Sequence, residues 1–169
     1  MKTIISKYEI DVVWHFTSQS NLEMIRGKKG LLSLSELEKQ GIKIPVPGGN
    51  EWSHRADKIK GMNKYVHLCF LDDHPMFDRV QFDGRIRDPI WLKIDSSILL
   101  KDEVRFCIDV SNKSGVSILS PKEAIEQIDF EVLFAHQNHN DPKIRARLYA
   151  AKKSEILVPN FVPIERIFF

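Results

Sequence analysis

Three groups of residues in this chain have types and spacings suited to chemistry. The first is His15-Phe16-Thr17, which closes a short apolar run just ahead of a helix-like stretch. At such a strand end a polar side chain can face a cleft while its neighbours stay in the core. The plainer use of His15 is as a hydrogen-bonded core histidine. The second is Glu155, the acidic residue that opens the apolar run Ile156-Leu157-Val158. A carboxylate at a strand mouth packs poorly, but it can accept hydrogen bonds from ribose hydroxyls and stabilise a developing cation. Its plainer use is an exposed ion pair with Lys152 or Lys153. The third is a polar segment carrying Trp52, His54, Arg55, Lys58, Lys60 and Lys64. This mixture suits stacking on bases while tracking phosphates, and it is equally what a solvated face looks like. A fourth group, His136, His139 and Asp141, lacks both a fourth zinc ligand and a helix-borne glutamate. It reads as a loop in which Asp141 caps the next helix, so no metal is expected.

What is missing narrows the classes further. There is no Gly-x-Gly-x-x-Gly, no Walker loop and no Cys/His zinc spacing, so the usual dinucleotide, triphosphate and structural-zinc signatures are excluded. The chain has 169 residues, 43% hydrophobic and 28% charged, which predicts one domain over residues 1–169. A net charge of +2 permits a nucleic-acid partner without requiring one. Cys69 and Cys107 stand in β-like apolar runs and read as reduced, buried thiols. With no signal-peptide pattern in residues 1–10 and no run of eighteen apolar residues, the expected setting is the cytoplasm, away from the membrane.

Several elements must position these groups. Alternation predicts strands over 12–16, 65–71, 89–94, 103–110, 155–158 and 162–169. Helices are predicted over 21–25, capped within Ser18 to Ser20; over 36–40, capped by Ser33 or Ser35; over 121–127, capped by Ser120; and over 142–152, capped by Asp141. Pro45, Pro47, Gly48 and Gly49 predict a mobile loop, and 50–63 a functional loop or short helix. Asp72, Asp73, His74 and Pro75 read as a loop between two strands. The class is α+β.

In order along the chain, the pieces resemble the DarT family of NAD+-dependent ADP-ribosyltransferases, which modify bases in single-stranded DNA. His15-Phe16-Thr17 followed by Asn21-Leu22, Ile25 and Gly30-Leu31 is similar to the family's opening motif. Tyr65 to Phe70 followed by Pro75-Met76 is similar to its strand and Pro-Met loop. Ile128-Asp129-Phe130 and then Arg145 through Ser154-Glu155-Ile156-Leu157-Val158-Pro159 resemble its C-terminal signature. The resemblance implies an ADP-ribosyltransferase-like α+β fold of two packed, mainly antiparallel sheets with flanking helices. It implies NAD+ as co-substrate, held by His15, Phe16, Thr17, Asn21, Leu32 and Arg55, and Glu155 as a catalytic residue. It also implies a catalytic arginine ahead of the aromatic strand, which contacts the cofactor phosphates and helps the target base lose its proton; it is assigned to Arg55, with Lys58, Lys60 and Arg79 as alternatives. Trp52, His54, Lys58 and Lys60 would meet single-stranded DNA or RNA. The context implied is that of a toxin with a macrodomain-type antitoxin. Two other functions stay open: an inactive nucleic-acid-binding module of the same fold, and transfer to protein. The clustered arginines and histidine of the RNA 2′-phosphotransferases are absent.

Overall fold

A computed structural model describes residues 1–135 and 137–169; His136, weighed above as a zinc ligand, lies outside them. The chain opens with Lys2–Tyr8 (α1), Val12–Ser18 (β1), Leu22–Gly27 (α2), Gly30–Leu32 (β2) and Leu34–Lys39 (α3). It continues with Glu51–Lys60 (α4), Tyr65–Cys69 (β3), Pro75–Phe82 (α5), Pro89–Asp95 (β4) and Arg105–Cys107 (β5). The last elements are Pro121–Gln127 (α6), Phe130–Phe134 (α7), Pro142–Ala151 (α8), Glu155–Pro159 (β6), Phe161–Pro163 (β7) and Ile167–Phe168 (β8).

Six strands form one antiparallel sheet in the order β5-β6-β3-β1-β4-β8, and β2 pairs with β7 in a second, two-stranded sheet. Both sheets share one core, since Leu31 and Val162 of the small sheet belong to the same buried cluster as Val13, Leu68, Leu92 and Ile156 of the large one. The chain passes between the sheets at Asn160, whose φ of 60° is the left-handed conformation that asparagine tolerates better than most residues. Gly30 makes the pairing of β2 with β7 possible. Its φ is 146°, and a Cβ there would stand 2.1 Å from the carbonyl oxygen of Val162.

Four expectations are corrected. Residues 72–75 are not simply a loop: Pro75 occupies the first turn of α5, and His74 caps it by accepting the Met76 N–H at 3.2 Å. Proline in the first turn starts a helix as readily as it breaks one. The predicted 103–110 strand is only Arg105–Cys107, because β6 pairs with it over three residues before the chain turns away. The predicted 162–169 strand is two, β7 in the small sheet and β8 on the edge of the large one, separated by a 3-10 turn. Helices α1 and α7 were not foreseen; interspersed charges hide their apolar faces, yet Ile4, Ile5, Phe130 and Leu133 all pack in the core.

The polar segment is the helix α4, capped by Asn50, which accepts the Ser53 N–H at 2.8 Å, and closed by Gly61 at φ 68°. Helix α5 lies against the sheet through Phe77, which stacks on Trp91 at 4.7 Å and meets Phe16 edge-on at 5.8 Å. That contact fixes where the start of α5, and hence His74, sits.

Candidate active site

Strand β1 pairs with β4 along seven residues but meets β3 only at Trp14 and Cys69. Where that ladder stops, the His15 side chain continues it: Nδ1–H donates to the carbonyl of His67 at 2.9 Å. The opening between β1 and β3 is the floor of a cavity of about 260 Å³. Its lining is part apolar, with Ile25, Leu31, Leu37, Ile44 and Val46, and part polar, with His15, Thr17, His67, Asp57, Ser111 and Glu155.

Glu155 heads β6 beside Cys69 of β3 and Cys107 of β5, and it is buried. Its Oε2 accepts from His67 Nδ1 at 3.0 Å and from the Ser111 backbone N–H at 3.2 Å. Those two donors hold one carboxylate oxygen and leave Oε1 for a ligand. The second ring nitrogen of His67 donates to the carbonyl of Met62 at 3.2 Å. Both nitrogens therefore face acceptors, which requires an imidazolium. Burial disfavours the charged form of His67, but the bond and charge of Glu155 outweigh it and its pKa is raised. Burial likewise works against the Glu155 carboxylate, and the bond and charge of His67, with the Ser111 bond, hold its pKa below the usual value. The two form a buried ion pair. The lysine pairing open to Glu155 is not made: Lys152 bonds Asp73 instead.

The neighbouring histidines are neutral. Burial, with the charge of His67, pushes His15 down to about 4 despite its bond to the His67 carbonyl. Burial also lowers His74. With Nδ1–H committed, His15 offers Nε2 as an acceptor.

Asn21 secures the other wall. Its side chain donates to Thr17 Oγ1 at 3.0 Å and to the Val46 carbonyl at 2.7 Å, and it accepts the Val46 N–H at 3.0 Å. Arg85 Nη1 donates to the Gly48 carbonyl at 3.0 Å. The loop expected to be mobile is thus held at two points. Thr17 and Asn21 are buried, and Phe16 and Leu32 also line the cavity.

Helix α4 divides the remaining expected residues. Ser53, His54 and Asp57 line the cavity, whereas Trp52, Arg55, Ala56, Ile59 and Lys60 line a depression on its outer face. Arg55 is therefore not brought together with Glu155. Lys58 pairs with Glu38 at 2.7 Å, and Lys60 bonds the Lys113 carbonyl. Arg79, the alternative arginine, is exposed and lies 3.9 Å from Asp83. Among the described residues no lysine or arginine lines the cavity, and none form a group of three or more side chains fit to hold a metal ion. Asp141 caps α8 by accepting the Lys143 N–H at 2.7 Å. Sequence reading missed His67, Asp57, His74, Ser111 and Arg85. A histidine within a strand, flanked by Val66 and Leu68, was the one available signal among them.

A model of the DarT family, described as single-stranded-DNA thymidine ADP-ribosyltransferase, matches residues 14–168. The chain belongs to the DarT family. Similar solved structures include Thermosipho africanus DarTG in complex with ADP-ribose, at 20% identity and TM-score 0.68 over 93% of this chain and 42% of that one. Thermus sp. 2.9 DarT in complex with ADP-ribosylated single-stranded DNA matches at 18% identity and TM-score 0.67, over 94% and 79% of the two chains. The same protein in complex with NAD+ matches at 17% and 0.61, over 94% and 80%. At these identities the likeness is one of fold, and the chain spans 42% of the length of the Thermosipho protein. A sequence search among curated proteins finds no match. The DarT fold, the ADP-ribosyltransferase class and the NAD+ co-substrate expected from the sequence are those of the family. Among the described residues no helix is long and apolar enough to cross a membrane.

Proposed function

We propose that this chain cleaves NAD+ in the β1–β3 cavity and transfers ADP-ribose to a thymine of single-stranded DNA. The observation that carries the reading is Glu155, a buried carboxylate with one oxygen held by His67 and Ser111 and the other left for a ligand. Bound NAD+ would supply a positively charged nicotinamide whose bond to ribose breaks with charge building on the sugar. Glu155 Oε1 would accept from a ribose hydroxyl and stabilise that charge without having to reorganise, because Oε2 is fixed. His15 Nε2 and Thr17 Oγ1 would orient the nicotinamide end, and the apolar lining residues would cover a flat ring. The donor set therefore fits NAD+, with phosphate contacts left to the rim.

Arg85 is the candidate for that role at the rim: its Nη1 bonds the carbonyl of Gly48, a lining residue, and its Nη2 pairs with Asp83 at 2.9 Å, a partner that a phosphate would replace. Arg55, with Trp52 and Lys60, supports a second surface for the acceptor strand, where an aromatic ring and two cations suit a single-stranded polyanion. His54 and Lys58 would extend it on either side. Cytoplasmic action is supported by two buried free thiols, and the resemblance to the family supports a toxin countered by a macrodomain-type antitoxin.

Mass spectrometry of oligonucleotides after incubation with protein and NAD+ tests the proposal. A gain of ADP-ribose on thymine-containing DNA, absent from thymine-free DNA, is expected. Modification of RNA or of added protein alone would redirect it, and no nicotinamide release at all would favour an inactive binding module.

A further inference from the structure

The cavity contains a second carboxylate that the arrangement above does not use. Asp57 projects from α4 into the same cavity as Glu155, and its Oδ1 is buried with no hydrogen-bond donor among the described residues. An acceptor left in that state costs about 1–3 kcal/mol, which favours protonation of this carboxylate, and the residue itself lines the cavity. The Asn112 amide lies against the same carboxylate and also lines the cavity.

The acceptor base can bring a donor to this carboxylate. In thymidine N1 carries the sugar, so N3 is the one ring nitrogen that bears hydrogen, and it is flanked by two carbonyls. Bonding that nitrogen to a sugar carbon requires its proton to leave, and Glu155 is needed, charged, beside the ribose. We propose that Asp57 reads the thymine edge by accepting the N3–H and takes its proton in the transfer step, with the Asn112 amide donating to an adjacent carbonyl. In that step the proton passes to the Asp57 carboxylate and the N3–H electron pair forms the bond to the ribose carbon. The bond from that carbon to nicotinamide breaks with its electrons kept by nicotinamide, which leaves neutral. This inference rests on the function proposed above.

The surroundings favour the role. Burial raises the pKa of Asp57 and Glu155 of β6 adds to the rise, while His67 of β3, Asn112 and His54 on its own helix pull the other way, with a net upward shift. A carboxylate with a raised affinity for protons is a better general base than an ordinary one. The same contact discriminates between bases. Cytosine presents a lone pair at N3 and is repelled, whereas uracil presents the same edge as thymine.

Asp57→Asn tests this with three readouts. In binding without NAD+, the parent should prefer an oligonucleotide with a central thymine over its cytosine counterpart by at least ~5-fold, roughly one hydrogen bond. The variant, whose amide can donate to cytosine N3, should lose or reverse that preference. With NAD+, the ratio of transfer to hydrolysis should fall by at least ~100-fold, as for loss of a general base. Replacing thymine by 5-fluorouracil, whose N3–H is more acidic, should restore transfer by the variant more than it speeds the parent; a merely structural role would lower both substrates alike. A variant that keeps the parent's base preference and partition within ~3-fold would overturn the inference. If the variant does not fold, the parent decides. Its transfer should rise with pH through an acid limb above the ordinary carboxylate range that hydrolysis lacks, and absence of that limb overturns the inference. A parent that neither releases nicotinamide nor modifies DNA would sink the proposed function itself.

Discussion

Replacing Glu155 by glutamine removes one charge while sparing nearly all of the geometry. The amide oxygen can still accept from the Ser111 N–H and from His67, now 3.2 and 3.0 Å from Oε2. The charge-assisted character of the His67 bond is lost, a difference of about 1–2 kcal/mol. His67 then releases its proton, because burial lowers its pKa once the carboxylate that raised it is gone, and its one remaining N–H, kept towards residue 155, leaves the Met62 carbonyl without that donor. A drop in Tm of roughly 2–8 °C follows for a chain of this size. Catalysis should suffer far more. A carboxylate about 4 Å from a unit cation in a medium of effective dielectric near 20 contributes about 4 kcal/mol, and a partly developed charge receives most of that. The rate of nicotinamide release should therefore fall by ~100- to ~1,000-fold, with the NAD+ dissociation constant within a few-fold of the parent's. Calorimetry of NAD+ binding beside a nicotinamide-release assay separates the two quantities. Turnover within ~10-fold of the parent would refute the electrostatic role, and a far larger loss of Tm would refute the claim that the carboxamide preserves the pair's geometry.

Three further outcomes follow. His15→Ala should raise the NAD+ dissociation constant roughly tenfold or more; unchanged affinity in a protein that melts much earlier would make this histidine structural. The same residue governs acid stability. Its folded pKa of about 4 lies below the ordinary 6.5, so the unfolded chain takes up protons first as pH falls from 6.5 towards 4, costing on the order of 3 kcal/mol. His74 acts in the same direction, whereas the contribution of His67, whose pKa is raised, is full below 6.5 and lost as pH rises past its folded value. Denaturant melts of His15→Gln should show a shallower acid-side slope, and an unchanged slope would contradict the neutral state. Finally, Lys58→Ala with Lys60→Ala should weaken single-strand binding and reduce the slope of log affinity against log salt by about one to two. Because Glu38 and the Lys113 carbonyl already engage these lysines, a value near one is expected, and no change would remove them from the acceptor surface.

Local pattern made the strands and part of the cavity lining legible. His15, Thr17 and Glu155 stand at strand ends next to apolar runs, and alternation is a short-range property that one sequence displays. The partner of Glu155 was hidden because His67 is 88 residues away and meets it only through the β3–β6 register. Register depends on which strands pair, and no local window contains that. The facing of α4 was hidden for another reason. Arg55 and Asp57 are two residues apart, which on a helix turns one outward when the other turns in, but the segment's sparse apolar residues, Trp52 and Ile59, are both exposed. The usual guide to orientation therefore points nowhere. In α5, the same Asp-Asp-His-Pro string that marks a turn also begins a helix, and only the packing of Phe77 on Trp91 and the burial of Val80 decide between them.

The pairing of Glu155 with His67 carries a consequence for how strongly the site can act. A buried ion pair is an expensive way to stabilise a fold, since desolvation of both charges offsets their attraction, and a well-packed apolar pair would serve a core at least as well. What the imidazolium provides here is position: it fixes Oε2, and through Met62 it ties the β3 strand to the segment that follows α4. It also withdraws part of the negative field that Oε1 can apply to a ligand. With His15 and His74 held neutral by burial, His67 is the one described histidine around this carboxylate whose charge is favoured, so the field at Oε1 is set by a single proton. Holding that proton on a strand nitrogen, on the far side of the carboxylate from the ligand oxygen, orients the acid without covering it. That separation of a held oxygen from a working oxygen is what turns a strand-end glutamate into a site.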